Sequence, residues 1–172
     1  MGENNILDEI KSEISSNRKI RVAINGFGRI GRMIFRAGFN DPEIEFVAIN
    51  DLSGADAARY FLQSDSAHGN FGSKVSVEGN FLVIGNKKIP VLGEKDINAL
   101  PWADYNVDVV AECTGIFTDA EKAKIHIARG AKKVLISAPG KGEGVFYFVR
   151  GVNDEEYKDE YKIVSNGSCT TN

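Results

Sequence analysis

The sequence predicts a doubly wound α/β fold, in which helices cover both faces of a mostly parallel sheet that also has a small antiparallel insert. From Lys19 onward, apolar runs rich in β-branched residues alternate with amphipathic segments of helical period. This alternation is typical of parallel sheets with crossover helices. A glycine-rich turn joins the first apolar run to the first helical segment. Three short apolar runs in mid-chain are separated only by tight turns, which predicts the insert.

The predicted elements follow one another without long unstructured stretches. The first strand is "KIRVAIN", and the helix "RIGRMIFRAGF" after it places Ile30, Ile34 and Phe35 on one face. The second strand, "EIEFVAIN", precedes the helix "ADAARYFLQS". The insert comprises "SKVSVEG", "NFLVIGN" and "KKIPVLG", and the Gly-Asn pairs between them favour hairpin turns. The remaining elements are the strand "NVDVVAE", the helix "DAEKAKIHIARG", and the strands "KKVLISA", "GVFYFVRGVN" and "YKIVSN".

The composition predicts one soluble domain with a sizeable core. The 172 residues are 42% hydrophobic and 26% charged, which is typical of globular proteins. A net charge of −3 argues against a nucleic acid or an anionic membrane as a partner. Two cysteines, Cys113 and Cys169, provide no disulfide framework, and the first residues lack the apolar core of a secretory signal. A cytoplasmic location is therefore expected.

The turn Gly26-Phe27-Gly28-Arg29-Ile30-Gly31 has the pattern G-x-G-x-x-G between a strand and a helix. In a dinucleotide site Gly26 permits the tight turn, Gly28 lets the backbone approach a pyrophosphate, and Gly31 lets the helix pack closely on the strand. Asp51 ends the second strand about 20 residues later, where a carboxylate binds the adenosine ribose. Such a carboxylate repels a 2′-phosphate, so NAD is favoured over NADP. The alternative is a glycine-rich turn without a ligand.

Seven motifs together resemble one enzyme family. They are "INGFGRIGR", "NDL", "DSAHG", "ECTGIF", "SAPGKG", "GVN" and "SNGSCTTN". Their order and spacing are similar to those of glyceraldehyde-3-phosphate dehydrogenase, from about Ile20 to Asn172. The resemblance implies a Rossmann-type NAD-binding domain over residues 20–168 and the start of a catalytic domain at 169–172. Residues 1–19 are then an N-terminal extension, either a short amphipathic helix or a loosely held leader.

The resemblance also implies the site residues, with no metal among the ligands. The cofactor NAD would contact Gly26, Gly28, Arg29, Ile30, Gly31, Asp51, Lys95, Thr114, Gly115 and Ser137. The substrate would contact Ser168, Cys169 and Thr170, with Cys169 as the catalytic nucleophile. Cys113, at the end of a buried strand, is expected to be a packed and unreactive residue. The two histidines are expected to be structural or solvated, with His126 on a helix surface.

The implied function is NAD-dependent oxidative phosphorylation of glyceraldehyde-3-phosphate through a cysteine thiohemiacetal and thioester. Inorganic phosphate is the second substrate, and complete enzymes of the family are homotetramers. The family's activating histidine follows the cysteine in the catalytic half, so this chain alone is expected to be inactive. Two alternatives remain open at this stage, namely an isolated NAD-binding module without activity and an erythrose-4-phosphate dehydrogenase.

Overall fold

The computed structural model describes residues 18–168. Most of the predicted N-terminal extension lies outside the described residues, and so do Cys169 and Thr170. Within the described range, no helix has the length and the apolar character that crossing a bilayer requires.

From residue 18 to residue 168, the structure places a helix or a strand at each segment for which the sequence predicts one. The helices are α1 (Arg29–Gly38), α2 (Gly54–Gln63) and α3 (Ala120–Ala128). The strands are β1 (Ile20–Asn25), β2 (Ile44–Asn50), β3 (Ser64–Asp65), β4 (Gly69–Asn70), β5 (Val75–Glu78), β6 (Phe81–Ile84), β7 (Lys87–Leu92), β8 (Val109–Glu112), β9 (Lys133–Ile136), β10 (Val145–Tyr147) and β11 (Ile163–Ser165). Short 3₁₀ helices span Ile97–Ala99 and Asp154–Glu156. The two-residue hairpin β3–β4 was not predicted, because it is too short to show a hydrophobic period.

Nine of these strands form one sheet in the order β10-β11-β9-β8-β1-β2-β7-β6-β5. All pairs from β10 to β7 are parallel, whereas β7, β6 and β5 are antiparallel. The predicted fold class, a Rossmann-type doubly wound sheet with a small antiparallel insert, is confirmed. Strand β1 lies between β2 and β8, so the chain order reverses there, and in open α/β sheets ligands bind at the carboxyl ends of the strands at such a point.

Strand β7 belongs to both parts of the sheet. It pairs in parallel with β2, where Asn50 lies opposite Leu92, and antiparallel with β6. The insert is therefore continuous with the parallel sheet. This pairing places the loop that follows β7 beside the carboxyl end of β2, where it contributes to the cavity described below.

The core has two large clusters on opposite faces of the sheet. In β1, Val22 and Ile24 pack into one cluster and Ala23 into the other, as the period of two along a strand requires. The first cluster centres on Phe35 of α1, whose ring centroid lies 5.6 Å from that of Phe27 in the glycine-rich turn. Phe27 is 3% exposed. Because this ring is buried, the core fixes the turn against α1.

Candidate functional site

A cavity of about 500 Å³ opens at the carboxyl ends of β1, β2 and β8. It therefore lies at the switch point that the strand order defines. Its lining combines the glycine-rich turn, the ends of three strands and the loop after β7. The lining residues are Asn25, Gly26, Gly28, Asn50, Asp51, Leu52, Glu94, Lys95, Ile97, Leu100, Cys113, Thr114, Ile116 and Phe117.

The three glycines of the fingerprint occupy three different environments. Gly26 has a φ of +91°, and a Cβ there would lie 2.8 Å from the backbone nitrogen of Thr114. A Cβ on Gly31 would lie 2.2 Å from the carbonyl oxygen of Gly26, so only glycine lets α1 pack this closely. A Cβ on Gly28 would meet no atom within 4 Å. Since Gly28 lines the cavity, the space beside its backbone is open to a ligand.

The N-terminus of α1 supplies hydrogen-bond donors to the same region. Gly28 is the N-cap of this ten-residue helix, and no side chain caps it. The first backbone N–H groups of a helix have no partner within the helix, and they carry the positive end of its dipole. Arg29 and Ile30 are in this first turn, and both are exposed. An anionic group at the turn would complete the hydrogen bonding of this helix end.

Asp51 connects the turn with the start of α2. One carboxylate oxygen, Oδ2, accepts a hydrogen bond from the backbone N–H of Phe27 at 2.7 Å. The other oxygen, Oδ1, accepts from the backbone N–H of Ser53 at 2.9 Å and also from the Ser53 hydroxyl. The sequence predicted only a ribose contact for this residue. The structure adds that Asp51 holds the glycine-rich turn in place.

Five of the ten predicted cofactor residues line the cavity, and the other five do not. Those in the lining are Gly26, Gly28, Asp51, Lys95 and Thr114. Those outside the lining are Arg29, Ile30, Gly31, Gly115 and Ser137. Of the predicted substrate residues, Ser168 is described and is half-buried. Half of the predicted cofactor residues therefore line the cavity at the switch point, whereas the predicted nucleophile, Cys169, lies outside the described residues.

A buried polar network beneath the cavity was not predicted from the sequence. Asn25, Asn50 and Glu112 end strands β1, β2 and β8, and the register places Asn25 opposite both of the others. The amide of Asn25 donates to Oε2 of Glu112 at 2.6 Å, and the amide of Asn50 donates to Oδ1 of Asn25 at 2.8 Å. The other carboxylate oxygen of Glu112 accepts from the backbone N–H of Thr114 at 2.8 Å and from the Thr114 hydroxyl. The sequence did contain a signal for this network, because each of these three apolar strands ends in a polar residue.

His126 corrects one prediction. The sequence placed it on the surface of a helix, but the residue is fully buried on the inner face of α3. Its ring lies between Trp102 and Glu112, with Nδ1 2.9 Å from the indole Nε1 of Trp102 and Nε2 3.0 Å from Oε2 of Glu112. His68 is exposed beside Asp65, whose pKa is lowered to about 2, chiefly by the backbone N–H of His68.

Cys113 lies in the cavity wall, and its surroundings raise the pKa of its thiol. Burial raises the pKa of its thiol to about 12, and the Glu112 carboxylate adds to this, while a hydrogen bond with Ser137 opposes it. A thiol with a raised pKa stays uncharged at neutral pH, and the thiolate is the nucleophilic form. The side chain of Ser137 contacts this thiol. Its role at the nicotinamide ribose remains a prediction.

We expect iodoacetamide to label Cys113 very slowly at neutral pH, at a rate that rises steadily as the pH approaches 12. Labelling of the folded chain, followed by peptide mass spectrometry, gives the rate at each cysteine, and Cys169 is expected to react faster than Cys113. The Cys113→Ser variant is the matched control, because it leaves Cys169 as the sole target. Rapid labelling of Cys113 at neutral pH in the folded chain would contradict this environment.

The fold and the site together define a dinucleotide-binding domain of the Rossmann class. Residues 20–120 match the family model described as "Glyceraldehyde 3-phosphate dehydrogenase, NAD binding domain". Across the described residues, no group of three His, Cys, Asp or Glu side chains is arranged to hold a metal ion.

Three curated relatives carry the same family name. A glyceraldehyde-3-phosphate dehydrogenase of Mycoplasma pneumoniae is 48% identical over 92% of this chain and 47% of its own length. A cytosolic glyceraldehyde-3-phosphate dehydrogenase of Trypanosoma brucei brucei is 53% identical over 89% of this chain and 46% of its own length. A chloroplastic one of Chondrus crispus is 50% identical over 90% and 38%. The chain belongs to the glyceraldehyde-3-phosphate dehydrogenase family and spans less than half the length of these relatives.

Proposed function

We propose that the chain is the NAD-binding half of an NAD-dependent, phosphorylating glyceraldehyde-3-phosphate dehydrogenase. The main support is the cavity at the switch point, in which Gly28 leaves open space beside the donor end of α1 and Asp51 stands at the end of β2. The backbone at Gly26 and Gly28, with the N–H groups of Arg29 and Ile30, would bind the pyrophosphate. Asp51 would bind the adenosine ribose, and its charge favours NAD over NADP.

The other proposed contacts follow the cavity wall. Lys95 and the apolar side chains nearby would bind the adenine end, and a slot of this kind suits a flat aromatic base. Thr114, Gly115 and Ser137 would contact the nicotinamide side, beyond the ends of β8 and β9. Gly31 supports the site indirectly, because it brings α1 close to the turn.

NAD, when bound, supplies the hydride acceptor, and the proposed covalent chemistry takes place at Cys169. The Cys169 thiolate would add to the aldehyde carbon to give the alkoxide of a thiohemiacetal, which would become a thioester when it loses hydride to that acceptor. Phosphate then attacks the thioester carbonyl, which releases the thiolate and 1,3-bisphosphoglycerate. Ser168 and Thr170 would contact the substrate beside the nucleophile. A thiolate suits both steps, because it is a good nucleophile and a good leaving group.

We further propose the domain and partner organisation of the family. Residues 1–19 form an extension, residues 20–168 the NAD-binding domain and residues 169–172 the start of the catalytic domain. A catalytic half, covalent or separate, would complete the site within a homotetramer. The proposal includes a cytoplasmic location, which is supported by the cytosolic relative.

A second candidate function is NAD binding without activity, which the cavity at the switch point supports equally well. One experiment separates the two. The purified chain is titrated with NAD by calorimetry, and NADH absorbance is then followed with glyceraldehyde-3-phosphate and phosphate, with and without a polypeptide of the catalytic half. We expect NAD binding by the chain alone and turnover only after completion. Cys169→Ser is expected to bind NAD normally and to abolish turnover.

Each outcome has a distinct meaning. A chain that does not bind NAD contradicts the cofactor assignment. A completed protein that binds NAD but does not oxidise the aldehyde supports the binding module. If it oxidises erythrose-4-phosphate faster than glyceraldehyde-3-phosphate, the substrate assignment is wrong and the cofactor assignment stands.

A further inference from the structure

The buried network beneath the cavity has a fixed hydrogen-bond direction, which begins at Trp102. An indole N–H can only donate, so Nδ1 of His126 must be the acceptor of the 2.9 Å bond between them. In a neutral imidazole the other ring nitrogen then carries the proton. The Nε2–H group of His126 therefore donates to Oε2 of Glu112 at 3.0 Å. Trp102 and His126 are both 0% exposed, so no water competes for these groups.

The opposite end of the network is fixed by a backbone group. The backbone N–H of Glu94 donates to Oδ1 of Asn50 at 2.9 Å, which assigns the oxygen of this amide. The Asn50 nitrogen then donates to the carbonyl oxygen of Glu94 and to Oδ1 of Asn25. The Asn25 nitrogen in turn donates to Glu112. Both ends of the network thus direct their protons toward Glu112.

Glu112 receives four donors in all. His126 and Asn25 donate to Oε2, while the backbone N–H and the hydroxyl of Thr114 donate to Oε1. A carboxylate has about four acceptor positions, so this side chain is saturated. A glutamine at position 112 would, in either orientation, turn its NH₂ group toward a group that can only donate, either the backbone N–H of Thr114 or the Nε2–H of His126. The network therefore requires a carboxylate at this position.

The network ends at residues that touch the proposed cofactor space. Asn25, Asn50, Glu94 and Thr114 all line the cavity, whereas Glu112, His126 and Trp102 are not in its lining. We propose that His126 is a positioning residue for the dinucleotide site. It acts through Glu112, which fixes Thr114 on one wall of the cavity. Through Asn25 and Asn50, Glu112 also fixes the loop at Glu94 on the other wall. This inference rests on the proposed NAD site and adds a residue that does not touch the cofactor.

Loss of His126 would leave one buried group unpaired and a second one with fewer donors. The indole N–H of Trp102 would have no acceptor, and Glu112 would lose one of the two donors at Oε2. An unpaired buried polar group is costly, so the carboxylate is expected to shift or to admit water. Either change would loosen its hold on Thr114 and Asn25. The distance between the two cavity walls, at Thr114 and Glu94, would then vary. Cofactor binding would weaken even though no residue that contacts the cofactor had changed.

The test compares His126→Leu with His126→Gln. Glutamine offers one carbonyl to accept from Trp102 and one amide to donate to Glu112, whereas leucine offers neither. We expect His126→Leu to weaken NAD binding by about tenfold, measured by calorimetry on the folded full chain, and His126→Gln to remain within about threefold of the parent chain. A purely structural role would lower the stability of His126→Leu and leave the NAD affinity of its folded molecules unchanged.

Amide hydrogen exchange gives a readout that does not depend on NAD. In His126→Leu we expect the backbone N–H groups of Thr114 and Glu94 to exchange about tenfold faster. The N–H of the buried Leu82 in β6 is the control, because it should exchange as in the parent chain. If His126→Leu does not fold, Trp102→Phe serves instead, since it removes the indole donor and leaves the imidazole in place. It should accelerate exchange at Thr114 by at least about threefold.

The outcomes separate this inference from the proposed function. If the parent chain does not bind NAD, the proposed function fails, and amide exchange still decides whether His126 positions Thr114. If the parent binds NAD and His126→Leu binds it equally well, the positioning role is wrong and the NAD site stands. Equal defects in His126→Leu and His126→Gln would also overturn the role, because hydrogen bonding would then not explain the effect. Unchanged exchange at Thr114 in Trp102→Phe would do the same.

Discussion

Gly31→Ala is expected to lower the free energy of unfolding by about 2 kcal/mol. The added Cβ would lie 2.2 Å from the carbonyl oxygen of Gly26 and 3.0 Å from Cγ2 of Ile24. Because the nearest atom belongs to the backbone, α1 must move away from β1, at a typical overpacking cost of about 3 kcal/mol. Replacing a glycine by alanine inside a helix stabilises the helix by about 1 kcal/mol, so the net destabilisation is about 2 kcal/mol. Urea denaturation of the full chain measures it.

Gly28→Ala is the matched variant, with the opposite expected pattern. Gly28 has a φ of −69°, which alanine adopts readily, and a Cβ there meets no atom within 4 Å. The free energy of unfolding should therefore fall by no more than about 1 kcal/mol, because the only expected cost is that of alanine at an N-cap. The methyl group would occupy the space where the pyrophosphate approaches, so NAD affinity should fall by at least about tenfold. Unchanged affinity would show that the cofactor does not pass over Gly28.

These two glycines also show what a sequence reveals well. Their roles depend on a turn of six residues between one strand and one helix, so the relevant contacts are local. The mostly parallel sheet was predictable for a similar reason, because the alternation of strands and helices can be read along the chain. The double pairing of β7 was not predictable. Its turns indicate hairpins, but they do not say which edge of the sheet receives the last strand.

The buried network depends on contacts between residues that are far apart in the chain. Glu112 and His126 are 14 residues apart, and Asn25 and Glu112 are 87 apart, so no local pattern joins them. The prediction for His126 was wrong, since this residue is fully buried whereas Ile125 and Ile127 beside it are only partly buried. The face that α3 buries instead holds Ala120, Ala123 and His126, at intervals of three. Two alanines on the same helix face as a histidine indicate a close contact between the helix and the sheet. The sequence contained this pattern, and it could have predicted that His126 is buried.

Asp51→Asn is expected to weaken NAD binding by about tenfold and to reduce the discrimination against NADP. The carboxylate accepts from the Phe27 N–H with one oxygen and from the Ser53 N–H and hydroxyl with the other. An asparagine has one carbonyl oxygen, so it keeps only one of these two connections and should cost about 1 kcal/mol of stability. It also removes the negative charge that would repel a 2′-phosphate. Calorimetric titrations with NAD and NADP measure both effects.

Ser53→Ala separates the two roles of Asp51. It removes one donor to Oδ1 while the charge, the Phe27 contact and the cavity side of the carboxylate remain. If Asp51 acts only by holding the turn, Asp51→Asn should weaken the binding of NAD and NADP equally, and Ser53→Ala should leave both unchanged because the Phe27 contact remains. If it binds the ribose, only Asp51→Asn should change that preference. Unchanged binding of both cofactors by Asp51→Asn would remove the ribose assignment, because the charge that distinguishes the two cofactors would then have no effect at this site.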